Sequence, residues 1–243
     1  MKDLRTMKVL AINGSPHKGK GNTALVLDPF LAGMREAGAD VELLYTRDLD
    51  VKPCLGCFGC WIKTPGQCVQ EDDMAALLPK LREAAVWVFA SPLYFDGLSG
   101  PLKNLMDRLT SFLRLAAEVR GGRSQHLVEE TVRGGKVALV SNCGLWEMRN
   151  FEPLLCQVKG FCRHVDREFV GAVLRPHGQT FRDFLRQGEP VEDILEAASE
   201  AGGQLAREGR ISKETLDIVG RELVSLDEYV ESMNERARKV AGE

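Results

Sequence analysis

The chain has 243 residues, of which 44% are hydrophobic and 28% charged, enough to bury one full α/β core without splitting. The formal net charge of -3 leaves no excess of cations to neutralise a nucleic-acid backbone, so nucleic-acid binding is not expected. No stretch approaches the ~18 apolar residues that span a bilayer and the opening MKDLRTMKVLAING reads as a strand, so the expectation is a cytoplasmic protein with no membrane partner. Seven cysteines, four of them between Cys54 and Cys68, argue against a disulfide framework and leave reduced thiols, a metal or a cluster.

In chain order, five short β-branched runs alternate with segments of helical periodicity, the pattern of βα units around a parallel sheet. The predicted strands are Lys8–Asn13, Asp40–Tyr45, Ala85–Ser91, Lys136–Asn142 and Arg167–Val173. Predicted crossover helices lie at Thr23–Ala37, Asp73–Glu83, Pro101–Leu115 and Phe151–Arg163. Arg120–Gly135 reads as a surface excursion. Beyond Arg175 the chain turns helical, with amphipathic stretches at Val191–Arg207 and Ser212–Val240. The division expected is a domain over residues 1–175, with a cysteine-rich loop at 53–72, followed by a helical extension over 176–243 that packs on the same domain or on a partner subunit.

The loop after the first strand, NGSPHKGKGNT (Asn13–Thr23), carries three glycines and two hydroxyls at a helix start, a design for binding an anion. Gly14, Gly19 and Lys20 match the first part of a Walker A motif, but Gly21 stands where its magnesium-binding hydroxyl belongs. Gly19, Gly21 and Ala24, with Glu42 downstream, fit a dinucleotide fingerprint, although Ser15–Lys18 intervene between the strand and those glycines. An NAD-dependent dehydrogenase of the Rossmann type therefore stays open at this point.

The order Gly14, Ser15, Pro16, a basic stretch, then Gly21, Asn22, Thr23 resembles the phosphate loop of the flavodoxin-like NAD(P)H-dependent FMN reductase family. The loop after the third strand, SPLYFDGLSGPLKNLMDR (Ser91–Arg108), resembles that family's S-P-x-Y signature followed by L-K and D-R. The resemblance implies a flavodoxin-like three-layer sandwich, with a five-stranded parallel sheet in the order 2-1-3-4-5. It implies FMN held by Ser15, His17, Gly21, Asn22 and Thr23 at the phosphate and by Pro92, Leu93, Tyr94 and Phe95 along the rings. Asn142, Cys143 and Gly144, in the loop SNCGLW, would complete the pocket, and Trp146 would cover the flavin or an interface. Lys103 and Arg108 would fix the helix or a dimer.

Cys54, Cys57, Cys60 and Cys68 have the spacing C-x2-C-x2-C-x7-C, within reach of [4Fe–4S] ligation. The segment resembles the cysteine motif of iron–sulfur flavoproteins, and equally the phrase GCFGCWIKTPGQC of flavin reductases whose cysteines imply no cluster. Zinc on four thiolates is the third reading. The expected activity is an FMN-dependent oxidoreductase with its chemistry on the flavin and no dedicated acid or base. NAD(P)H or a redox protein would donate electrons to a small-molecule or protein acceptor. The alternative is an electron carrier holding FMN and a [4Fe–4S] cluster. The family pocket further implies a homodimer or homotetramer.

Overall fold

A computed structural model describes residues 6–242 of the chain. Five parallel strands form one sheet: β1 (Lys8–Asn13), β2 (Asp40–Tyr45), β3 (Val86–Pro92), β6 (Lys136–Asn142) and β7 (Glu168–Arg175), in the order β2-β1-β3-β6-β7. This is the expected 2-1-3-4-5 order once the intervening hairpin is set aside. The central strands β1, β3 and β6 are buried almost throughout, which is why they read as unbroken apolar runs.

Two cores flank the sheet. On one face Trp87, Phe89 and Leu139 meet Leu77 and Leu81 of α3 (Met74–Glu83), Leu102 and Leu105 of α4 (Gly100–Arg108) and Leu154 and Val158 of α5 (Glu152–His164). On the other, Val88, Ala138 and Val140 meet Val26, Leu27 and Phe30 of α1 (Asn22–Glu36) and Ile194, Ala198 and Leu205 of α7 (Glu192–Glu208). Two glycines set the α1–α7 crossing. A Cβ on Gly33 would lie 1.8 Å from the Ser199 carbonyl oxygen, and one on Gly202 would lie 1.8 Å from that of Phe30. The helical stretch beyond residue 175 thus covers the same sheet, followed by α8 (Lys213–Gly220) and α9 (Leu226–Ala241).

One stretch departs from the sequence expectation. The helix predicted to run to Leu115 ends at Arg108, and Leu113–Val128 is an antiparallel hairpin, β4 (Leu113–Arg120) with β5 (Arg123–Val128). Gly121 and Gly122 both hold positive φ, 56° and 76°, as a two-residue hairpin turn requires. The fold is decided there by turn chemistry, which overrides the helical spacing read upstream.

Candidate functional site

The order reverses between β1 and β3, so the loops leaving their carboxyl ends splay apart and open a crevice. A cavity of about 470 Å³ occupies it, lined by the loops after β1, β3 and β6. The β1 loop is held from below. Asn13 Oδ1 accepts the Ser15 N–H at 2.8 Å, the Gly14 N–H donates to Ala90 O at 2.7 Å, and Ser99 Oγ donates to Gly14 O at 2.8 Å. A Cβ on Gly14 would lie 2.5 Å from Ser99 Oγ and 2.8 Å from Leu102 Cβ, while one on Gly21 would lie 2.6 Å from Ser15 Oγ. Neither glycine is chosen for φ; each is chosen for close approach. Helix α1 begins at this cavity with Gly21 as its N-cap and no side-chain cap, so its positive end faces the opening.

Of the sequence-predicted residues, Ser15, His17, Gly21, Asn22, Thr23, Pro92, Leu93, Tyr94, Asn142 and Gly144 line this cavity together. Two cross-links tie the loops: Thr23 Oγ1 donates to Asn142 Oδ1 at 2.6 Å, and the Leu93 N–H donates to Asn142 O at 2.8 Å. Cys143 and Phe95 are placed elsewhere. Cys143 is buried beneath the loop, its thiol donating to Leu145 O at 3.1 Å and pushed up to about 11, chiefly by burial. Phe95 is fully exposed at the tip of a tight turn closed by Tyr94 and Gly97, with φ of 45° and 59° at Phe95 and Asp96. Trp146 donates from Nε1 to Val224 O at 2.9 Å and stacks near His177, so it is fastened to the C-terminal segment.

Three lining residues come from α6 (Gly178–Gln187), beyond the expected domain boundary: Gln179, Arg182 and Arg186. Arg182 donates to Asn22 Oδ1 and, at 2.8 Å, to Lys20 O, so it grips the β1 loop itself. Its guanidinium is lowered from the usual value by burial and by neighbouring Arg186. Among the described residues Lys20, Arg182 and Arg186 are in no ion pair, whereas Lys18 is paired with Asp48. This end of the cavity therefore carries positive charge without a carboxylate partner among the described residues. The missed signal was the amphipathic FRDFLRQ segment, whose basic side faces the loop. His177, which caps α6, is wholly buried; burial, then Arg175, lowers it to about 4, so its ring is neutral at physiological pH.

A second cavity, about 370 Å³, lies over the cysteine loop and is lined by Cys54, Cys57, Cys60 and Cys68 with Phe58 and Arg108. The loop's base is fixed by the fully buried pair of Arg108 with Asp72, by Arg108 donating to Lys52 O at 2.7 Å, and by Trp61 Nε1 donating to Thr110 O at 2.9 Å. Burial pushes the Asp72 carboxyl up, but Arg108 and the N–H groups of Lys52 and Met74 more than offset it and hold it below the usual carboxylate range. Arg108 thus secures the loop, while Lys103 pairs with Asp107 along α4. Cys54 and Cys57 are exposed and Cys60 and Cys68 half-buried, with Cys60 raised by burial and by Cys68. Among the described residues, no three His, Cys, Asp or Glu side chains are gathered where one metal ion could be held. Four cysteine thiols lining one cavity are the donor set that a [4Fe–4S] cluster takes, one thiolate to each iron.

The dinucleotide alternative fails on geometry. Glu42 lies mid-strand opposite Leu10 and pairs with Lys80, away from the loop, and the sheet order is that of flavodoxin-like folds. Fold and site define a flavodoxin-like α/β protein with a cavity at its switch point that is lined by Ser15, Lys20, Arg182 and Arg186 and by Pro92, Leu93 and Tyr94.

The model of the family described as NADPH-dependent FMN reductase matches residues 7–141, and the chain belongs to that family. It is 39% identical over 102 residues to an iron–sulfur flavoprotein of Archaeoglobus fulgidus, covering 42% of this chain and 48% of the relative. It is 40% identical over 114 residues to one of Methanocaldococcus jannaschii, covering 47% and 57%. The chain spans about half the length of the curated relatives it matches. Among solved structures, an NAD(P)H:quinone oxidoreductase from Methanothermobacter marburgensis superposes with a TM-score of 0.61 at 19% identity, over 84% of this chain and 99% of that one. An azoreductase from Bacillus anthracis superposes at 0.59 and 18% identity, over 84% and 100%. These two likenesses concern the fold. Among the described residues, no helix is long and apolar enough to cross a membrane.

Proposed function

We propose that the 470 Å³ cavity binds FMN and that the chain is a flavin-dependent oxidoreductase, accepting electrons from NAD(P)H or a reduced protein and passing them to a small-molecule or protein acceptor. The observation that carries this reading is the cavity's polarity. One end offers the Ser15 hydroxyl, the uncapped start of α1 and three unpaired cations; the other offers Pro92, Leu93 and Tyr94. That is the complement of a molecule with a dianionic phosphate at one end and a flat ring system at the other. Bound FMN would supply the two-electron chemistry. The chain's own residues orient it: the β1 loop and α6 fix the phosphate, and the β3 and β6 loops, tied through Asn142, set the ring plane. Family membership supports the same ligand. All seven cysteines are free thiols, which suits a reducing cytoplasmic compartment.

Titrating FMN into flavin-free protein and following fluorescence quenching tests the reading, with NADH and NADPH oxidation measured on the loaded protein. Saturable binding with nicotinamide turnover is expected; no binding of FMN would end the proposal.

A second reading concerns the cysteine loop. Four thiols around one cavity, and relatives named iron–sulfur flavoproteins, support a [4Fe–4S] cluster held by Cys54, Cys57, Cys60 and Cys68. In that case the protein acts as an electron carrier between FMN and a partner. Anaerobic iron and acid-labile sulfide assays near four of each per chain, with a broad visible absorption beneath the flavin bands, are expected. Flavin bands without iron would leave the thiols metal-free.

A further inference from the structure

Arg108 spends its guanidinium unevenly. Nη1 donates to Lys52 O at 2.7 Å and to Asp72 Oδ2, and Nη2 donates to Asp72 Oδ1 at 3.0 Å. The Asp72 carboxylate is fixed in turn by the N–H groups of Lys52 at 3.0 Å and Met74 at 3.1 Å. This two-pronged pair holds the guanidinium in one orientation. Its Nε–H has no acceptor, although the side chain is wholly buried. A buried donor left unpaired is costly, and more so on a charged group, so an acceptor is missing from the account.

What lies beside Arg108 indicates that acceptor. The side chain lines the 370 Å³ cavity together with the four clustered cysteines. Burial lowers the guanidinium, but Asp72 and then Cys68 more than offset that and raise it, which marks Cys68 as the thiol facing the cation. Other polar side chains of the lining are engaged elsewhere: Gln70 donates to Pro53 O, Asn104 to Val51 O, and Asp107 accepts from Lys103.

We infer that Arg108 donates its Nε–H to the Cys68 sulfur of a bound [4Fe–4S] cluster and thereby sets the reduction potential of that cluster. The inference rests on the cluster reading of the cysteine loop, and the orphaned Nε is itself a feature of the cavity that suits a cluster. A neutral thiol is a weak acceptor, whereas an iron-bound thiolate keeps negative charge on sulfur. The donor stabilises the cluster more once an electron has been added, so it raises the potential.

Potentiometric titration of the anaerobically purified full chain, with dithionite supplying one electron to each cluster, tests this. Iron and acid-labile sulfide are assayed on every sample. R108K keeps a cation against Asp72 but loses the Nε–H, and D72L/R108M removes both charges together. Neither alters the net charge of the site, so the potential reads the hydrogen bond. Both variants are expected to lower the one-electron reduction constant of the cluster at least about tenfold, or 59 mV, and to leave the flavin potential unchanged. R82K is the control: it loosens the same loop where Arg82 donates to Gly66 O at 2.6 Å, outside the cavity lining, and should leave the cluster potential unchanged. Thermal melts verify that each variant folds. Wild-type cluster potentials in R108K and D72L/R108M, or an equal shift in R82K, would overturn the inference while the cluster stands. A wild type that carries flavin but no iron would overturn the cluster reading and this inference with it.

Discussion

The two cavities differ in how finished they are. The cavity after β1 is complete before any ligand arrives: buried Asn13, Ser15 and Ser99 lock its floor, glycines clear its walls, and Arg182 clamps its lip. The cysteine cavity is rigid at its base, through Arg108 and Asp72, while two of its four thiols stand in solvent. A site for a small organic dianion can be preorganised by hydrogen bonds alone. A site for thiolate ligands cannot, because four unligated sulfurs brought together gain nothing until the metal supplies the bonds.

That contrast predicts separable failures. The largest should follow R108M, which leaves the Asp72 carboxylate buried and unpaired: a loss of about 3–5 kcal/mol in unfolding free energy by denaturant titration. D72L/R108M should recover most of it, because a buried pair replaced by apolar groups costs little. FMN affinity of the folded fraction should hardly change. A parallel collapse of both would mean that the two cavities form one cooperative unit.

On the other side stands His177, whose backbone N–H donates to Leu145 O in the loop after β6. Its folded-state value, about 4, lies below the ordinary 6.5, so the unfolded chain binds the additional proton as pH falls through that window. Stability is therefore full above about pH 6.5 and declines by about 3 kcal/mol toward pH 4. H177N, which suits the left-handed backbone at φ 36°, should flatten that decline in melts recorded across the range. An unchanged slope would assign the acid sensitivity of that window to other groups.

R182Q should weaken FMN binding by about 10- to 100-fold, the worth of one charge-assisted bond, and leave riboflavin, which has no phosphate, unaffected. Equal loss for both ligands would show Arg182 acting only through the loop it grips.

Much of this was legible. The five parallel strands follow from apolar runs separated by crossover-length segments, their order comes with the resemblance to the flavodoxin-like reductases, and the β1 and β3 loops announce themselves because glycines, hydroxyls and an S-P-x-Y run must lie near the ligand in sequence as well as in space. What stayed hidden depends on long-range contact. Arg182 lies 160 residues from Asn22, and only the packing of α6 beside α1 brings the two together. The hairpin at Leu113–Val128 was signalled by its adjacent glycines but masked by preceding helical spacing. Cys143 looks like a lining residue in a loop of Asn and Gly, yet its side chain turns into the core.

Phe95 is the place where sequence motif and structure part most sharply, and the smallest effect tests it. A phenylalanine at φ 45° followed by aspartate at 59° occupies a turn that favours Asn and Gly, and, being fully exposed, it gains no packing in return. F95N should therefore relieve about 0.5–1 kcal/mol and raise the melting temperature by roughly 1–4 °C. FMN affinity should stay the same, since the side chain lines no part of the cavity. Should affinity fall while stability rises, the strained turn is what carries an aromatic ring onto the flavin once the ligand is bound. The cavity after β1 would then share with the cysteine loop one element completed only by its ligand.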